Sequence, residues 1–348
     1  MRPMTYPLPD ALQALCGPIY PVTEDDIDWL QELVCDDLDS WFTSSLCCCD
    51  ACYADFSRRW PGTARRDLAF QEGAIPLSAF LEGAKRVPRA FAPAQLSTLR
   101  HYVQCRRCLA YIEHNLWAFE HPFDGAEEFE DDLDVLEAVA HDTPFLLLEH
   151  DFPQRVLATI RRLAIAASAM PPPARLFRAR NAAEVATMDV DAFGPPPAEC
   201  VTEGRYNHAG NPMLYLADDE DTALAEIGQP GGKCSVAELT FGGTWKVLDL
   251  FDLNEEQHDA EAWPLLNLLA RSALGAAPRT GGGWVRKEYA FTRFVGDCAK
   301  AAGFDAIRYG STKGWGSNYV LLQPQADGRT AELLGTRVRC QSPLPPAK

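Results

Sequence analysis

Residues 204–227 read GRYNHAGNPMLYLADDEDTALAEI. Glycines and Asn207 bring the chain round, after which Met213–Ala217 has the short apolar pattern of a strand that takes Tyr215 into a sheet. Asp218 or Asp219 then caps a short helix running through Ile227. Ala223 and Leu224 face the sheet, which leaves Glu226, in the last turn beside Ile227, as a partly buried carboxylate rather than a routine surface acid. Further short strands are predicted at 176–179, 234–240, 245–250, 306–309 and 318–322, with a last one near 336–340. Helices are predicted at 262–273 and 291–302. The strands are short and irregularly spaced, without the repeating strand–helix rhythm of a doubly wound sheet, so the fold class is α+β.

The chain before this part has a different character. Residues 1–170 carry 14 basic and 27 acidic residues, a net of −13, whereas residues 171–348 carry 18 and 22, a net of −4. The change falls at Pro171-Pro172-Pro173, which cannot continue a helix, so a mostly helical domain is expected over 1–170 and a second domain over 171–348. Thr23 with Asp26 forms a capping box for a helix over 27–42, whose buried face holds Ile27, Leu30, Val34, Leu38 and Trp41. Longer helices are expected over 94–119 and 152–170. The eight acids between Asp124 and Glu137 read as a solvated helix face or loop, with a partner-binding surface as the alternative.

Composition narrows the class. In 348 residues, 47% are hydrophobic and 23% charged, enough for a buried core, and the net charge of −17 does not suit a binder of duplex nucleic acid. No apolar run approaches the ~18 residues that cross a bilayer. The opening MRPMTYPLPD lacks the apolar stretch of a signal peptide, and a cytoplasmic protein is expected.

The 12 cysteines therefore read as thiols or metal ligands rather than disulfides. Cys49 and Cys52 form one C-x-x-C pair, behind Cys47 and Cys48, and Cys105 and Cys108 form another. Together they offer four thiolates to a structural zinc ion. Free thiols or a redox pair are the alternatives, and His101 and Cys48 are substitute ligands. Cys105 and Cys108 are expected on one helical face. Cys16, Cys35, Cys200, Cys234, Cys298 and Cys340 read as small core residues. Arg107 and His114 read as a solvent-exposed pair, with a helical ribonuclease site as the remote alternative.

Polar residues gather beside the short strands in LFRAR (176–180), in the opening stretch and in FDAIRYGSTKGWGSNYVLL (304–322). Taken singly they have plain readings: Glu226 as a helix-end acid, Arg178 and Arg205 as salt-bridge residues, Tyr206 as a core aromatic, Ser311 as a turn serine and Asn318 as a loop-satisfying amide. In this order they resemble the RES-domain family, named for its arginine, glutamate and serine. The resemblance spans about residues 175–336, and the part before it looks like the helical extension of longer members.

The resemblance implies a fold similar to ADP-ribosyltransferases and diphtheria-type toxins. It also implies a toxin that degrades NAD+ by cleaving its nicotinamide–ribose bond, with water or inorganic phosphate as acceptor and an antitoxin or immunity protein as partner. On the family's motif, Arg178 and Arg205 bind the nucleotide, Tyr206 follows in the Gly-Arg-aromatic-Asn step, and Glu226 and Ser311 are the glutamate and serine. Asn318 falls near the Gly-Asn position. Ser317 rivals Ser311, and the insert GPPPAEC (194–200) is a departure. The chemistry agrees: the Glu226 carboxylate stabilises the cationic ribosyl group, the Arg178 and Arg205 forks suit a pyrophosphate, Tyr206 is expected to stack on nicotinamide or ribose, and Ser311 and Asn318 to orient hydroxyls or a phosphate. Transfer of ADP-ribose to a macromolecule and a catalytically silent binding module are the alternatives. His208 sits in a tight turn and is not expected to be catalytic.

Overall fold

The computed structural model describes residues 22–41, 46–66, 73–119, 129–228, 231–257, 262–271, 290–324 and 331–340. The expectations for Cys16, Phe42, Asp124, Glu127, Glu128 and residues 272–273 lie outside them. The described chain forms two compact units, 22–58 with 73–119, and 59–66 with all the described residues from 129 onward.

The first unit contains α1 (Glu24–Trp41), β1 (Leu46–Cys49) and α2 (Asp50–Arg59). Next in sequence comes α3 (Pro61–Arg66), which belongs to the second unit. The first unit then resumes with β2 (Ile75–Pro76), α4 (Leu77–Gly83), α5 (Val87–Ala90), α6 (Pro93–Leu99) and β3 (Asn115–Phe119). The capping box is present in both directions. Thr23 Oγ1 accepts from Asp26 N at 3.2 Å, and Asp26 Oδ2 accepts from Thr23 N at 3.0 Å. Leu30, Val34 and Leu38 are buried, but Trp41, the last residue of the helix, is exposed. Asp37 is also fully buried on this helix, accepting from the amides of Arg86 and Val87.

The single helix expected over 94–119 is not formed. The chain leaves α6 through a 3-10 turn (Arg100–Tyr102), reverses direction around residues 105–110 and returns as β3, antiparallel to β1 and β2. Cys105 N donates to Ala110 O at 2.8 Å, and Leu109 takes a left-handed φ of 60°. Apolar spacing does not separate a long helix from a helix, turn and strand in succession, and here tertiary packing decides between them.

The second unit is built on a seven-stranded sheet in the order β10-β6-β4-β5-β9-β8-β7. Its helices, in chain order, are α7 (Glu130–Asp142), α8 (Asp151–Ala166), α9 (Glu220–Ile227), α10 (Trp263–Ala270) and α11 (Ala290–Ala301). The strands are β4 (Leu176–Asn181), β5 (Leu214–Ala217), β6 (Lys233–Phe241), β7 (Val247–Asp249), β8 (Ala306–Gly310), β9 (Ser317–Leu321) and β10 (Ala331–Cys340). All neighbours are antiparallel except β7 and β8.

Alternation along the strands divides the core. Ile307, Tyr309 and Val320 point to one face, where they meet Phe152, Val156 and Ile160 of α8 and Phe291, Val295 and Cys298 of α11. Leu214, Leu216, Tyr319 and Leu321 point to the other face, under Phe193 from the irregular chain between β4 and β5 that includes the GPPPAEC insert. α7 and α8 thus belong to the core of the second unit, although their sequence precedes Pro171. The compact units differ from the expected division at 170, because the apolar stripes of these helices, Leu133 and Leu136 with Val156 and Ile160, are covered by that core.

Candidate active site and a four-cysteine cluster

Strands β4 and β5 meet through a single residue pair, Phe177 with Ala217, and beyond it they part. A cavity of about 220 Å³ opens there, lined by β4, β5, α9, Tyr309 and Asn318. Register places Phe177, Ala217, Asn318 and Tyr309 in one row across four strands, so their side chains share the face covered by α9. α9 is fixed at both ends. Asp219 caps it by accepting from Thr222 N at 2.8 Å, and Gly228 closes it with a left-handed φ of 67°. Ala223 and Leu224 pack on β4 and β6 residues, which brings Glu226 to the cavity wall.

The Glu226 carboxylate is held by one of its oxygens. Oε1 accepts from Ser311 Oγ and from Asn318 Nδ2, each at 2.6 Å, and Oε2 has no donor among the described residues. Ser311 Oγ in turn accepts from Gly314 N at 2.7 Å and Lys313 N at 3.1 Å, so its proton is directed to the glutamate. Lys313 Nζ also donates to the Glu226 carbonyl at 2.9 Å. Ser317, the rival serine, is bonded elsewhere: it donates to Asp218 Oδ2 at 2.7 Å and accepts from Arg308 Nε at 3.0 Å. Burial pushes the Asp218 carboxyl above its usual value.

The expected arginines stand in different places. Arg178 lines the cavity and has no carboxylate partner among the described residues; its guanidinium makes one long hydrogen bond, 3.4 Å to Tyr215 O. Burial, with like charge from Arg180, pulls it down to about 9, which still leaves it cationic at neutral pH. Arg205 is not among the lining residues. Its guanidinium stacks 4.5 Å from the ring of Tyr309, which does line the cavity. Tyr206, expected against a ligand, is completely buried, with its ring 4.8 Å from that of Tyr309. Its backbone amide donates to Tyr215 Oη, and its own hydroxyl has no partner among the described residues. Tyr309 itself was missed in the sequence, though its position two residues before Ser311 is the signal that would have placed it on the same strand face. His208 is exposed and pairs with Asp297 at 2.8 Å.

In the first unit the two C-x-x-C pairs converge. The Sγ atoms of Cys49, Cys52, Cys105 and Cys108 all lie within 4.8 Å of one another. The Cys49–Cys108 separation is 3.7 Å, close to the edge of a tetrahedron with ~2.3 Å metal–sulfur bonds. Cys49 N also donates to Cys105 Sγ at 3.4 Å. The thiols compete for charge. Hydrogen bonds from Cys49 and Cys52 hold Cys105 low, while the same bonds push Cys49 up to about 11 and Cys52 higher still. The buried Arg107 guanidinium is a single positive charge beside the cluster, and a divalent cation is what would let all four thiols ionise together.

Cys105 and Cys108 sit on the reversed turn, not on a helix, and His101 and Cys48 are not in the cluster. Arg107 is buried rather than exposed, and His114 is exposed, so the two are not a surface pair. Of the remaining cysteines, Cys234 and Cys298 are buried as expected and Cys35 is half-buried, but Cys200 and Cys340 are exposed.

Comparison with curated proteins finds no match. Among solved structures, the chain is similar to one from the crystal structure of the M. tuberculosis MbcT-MbcA toxin-antitoxin complex. Identity is 13% and the TM-score 0.36, over 53% of this chain and 93% of that one, a likeness too low to bear on function. The family comparison is specific, matching residues 173–341 to the RES domain. That span contains the parted strands, the cavity and the Glu226–Ser311–Asn318 group, and it identifies the carboxy-terminal part of the chain, residues 173–341, as a RES domain preceded by an amino-terminal region.

Proposed function

We propose that the RES domain consumes NAD+, cleaving its nicotinamide–ribose bond as a glycohydrolase or phosphorylase, and that the protein acts as a growth-arresting toxin restrained by an antitoxin. The supporting observation is the pairing of opposite charges in one cavity. A half-buried guanidinium, Arg178, that has no carboxylate partner among the described residues shares the walls with Glu226, whose second oxygen has no donor among them. An uncompensated buried cation calls for an anion, and the dinucleotide's pyrophosphate supplies one.

In the reaction the bond between C1′ of the ribose and the nicotinamide nitrogen breaks. Its electron pair leaves with nicotinamide, which becomes neutral, and the positive charge passes to the ribosyl group. Glu226 Oε2 stabilises that charge or the 2′-hydroxyl beside it, while Ser311 and Asn318 fix the carboxylate's orientation through Oε1. An oxygen of water or hydrogen phosphate then bonds to C1′, and the proton it loses passes to solvent water. Arg205 acts here by supporting Tyr309 from its stacked position rather than by direct approach. The four cysteines of the first unit would hold a structural zinc ion, which would stabilise that unit and take no part in the chemistry.

The test is NAD+ turnover by purified, metal-replete protein with and without inorganic phosphate, separating products by mass. Free ADP-ribose without phosphate identifies a glycohydrolase. ADP-ribose-1″-phosphate formed only with phosphate identifies a phosphorylase. Growth arrest on expression should disappear with Glu226→Gln. Folded protein that leaves NAD+ intact overturns the reading.

A further inference from the structure

The turn that carries Ser311 is held by two elements. One is α9, which also carries Glu226. Gly316 N donates to Thr222 Oγ1 at 3.0 Å, and a β-carbon on Gly314 would come within 2.8 Å of the same oxygen. The other is a short piece of chain from far upstream, Trp60–Thr63, whose four residues are all buried. It lies within 59–66, the part of the described chain before residue 129 that belongs to the second unit.

Gly62 is the point of contact. Its amide donates to Thr312 O at 2.9 Å. A β-carbon there would lie 2.1 Å from Gly314 O and 2.6 Å from Ser311 O, roughly 1 Å inside the closest approach of packed atoms. Three contacts, to the carbonyls of Ser311, Thr312 and Gly314, thus set the path of the turn. The same turn presents Lys313 N and Gly314 N to Ser311 Oγ, and these two donors direct the serine proton to Glu226. Pro61, at the first position of α3, pre-sets the backbone that delivers Gly62.

We infer that Trp60–Thr63 is a clamp on the serine turn and that Gly62 is a positioning residue for the Ser311–Glu226 pair. The amino-terminal region thereby contributes a part of the active site's supporting structure that residues 173–341 do not contain. The inference rests on the NAD+-consuming reading for its kinetic consequences, and on backbone geometry alone for the clamp.

The experiment is a double-mutant cycle on the full chain, with kcat and KM for NAD+ measured for wild type, Gly62→Ala, Ser311→Ala and the double variant. Gly62→Ala should lower kcat by about 10- to 100-fold with KM changed less than about twofold, since displacement of a catalytic group by ~1 Å suffices for that loss. In the Ser311→Ala background the same change should cost less than about threefold, because the residue it acts through is gone. Equal losses in both backgrounds, or an unchanged kcat, would overturn the proposal.

Amide exchange in the wild-type protein covers the case in which Gly62→Ala fails to fold. Gly62 and Gly314 amides should exchange through one opening and show similar protection. A Gly62 amide exchanging more than about 100-fold faster than that of Gly314 removes the clamp. Exchange is independent of turnover, so a protein without NAD+ activity would sink the functional reading and still leave the clamp tested.

Discussion

Glu226 owes its direction to two neutral donors rather than to a cation. Ser311 and Asn318 occupy Oε1 and leave the charge intact for the cavity. Glu226→Gln keeps the size and an acceptor for Ser311 but loses the charge, so kcat for NAD+ loss should fall by about 10²–10³-fold while the melting temperature stays near that of wild type. Asn318→Ala should cost less, about tenfold, since Ser311 remains. Tyr206 behaves oppositely. Its hydroxyl is buried without a partner among the described residues, so Tyr206→Phe should stabilise the protein by about 1 kcal/mol in urea unfolding, without the penalty of an ordinary core truncation. The motif named Glu226, Ser311, Asn318 and Arg178 by their order along the chain; in the structure Arg178, Glu226 and Asn318 line one cavity and Ser311 stands behind Glu226. The motif did not separate ligand-facing from supporting residues, because facing depends on strand register: Tyr206 lies under the site, whereas Tyr309 lines it.

At the scale of elements, α9 is tied to the edge strand β10 by charge. Arg337 Nε donates to both oxygens of Glu220 at 2.8 and 2.9 Å, and Arg339 Nε adds a bond at 2.8 Å. The Arg337 guanidinium lowers the Glu220 carboxyl from 4.5 to about 2. The folded state therefore releases this proton more readily than the unfolded chain. The stabilisation is complete above about pH 5 and is lost as the pH falls towards 2. With Arg337 about one-third exposed, solvent screening reduces the contribution to the order of 1–2 kcal/mol. Urea midpoints measured from pH 6 to pH 2.5 should show this loss, and Glu220→Gln should flatten that part of the profile. Elements with local signals were legible: the Thr23–Asp26 box, the Asp219 cap, and the alternating strands of the RES domain. The strand at 115–119 was not, because its pairing with β1 and β2 joins residues about 70 and 40 positions away in the chain.

For the molecule as a whole, two compact units with separate cores should unfold in separable steps. Zinc bound by Cys49, Cys52, Cys105 and Cys108 would raise only the transition of the first unit. Calorimetry with a strong chelator should lower one transition by several degrees and leave the other in place, and Cys52→Ser should reduce bound zinc below one per chain by elemental analysis. No helix among the described residues is long and apolar enough to cross a membrane.

The sequence by itself determined which residue types are available and in what order: the arginine, glutamate and serine motif, the paired cysteines, the caps and the strand alternation. These are local, and a cap or a two-residue period acts within one turn or strand. Only the tertiary structure decided the parting of β4 from β5, the convergence of four thiols, the membership of α7 and α8 in the second core, and the seating of Gly62 under the serine turn. Each depends on groups distant in the chain excluding one another's space or sharing one another's hydrogen bonds, and that information exists only once the elements have packed.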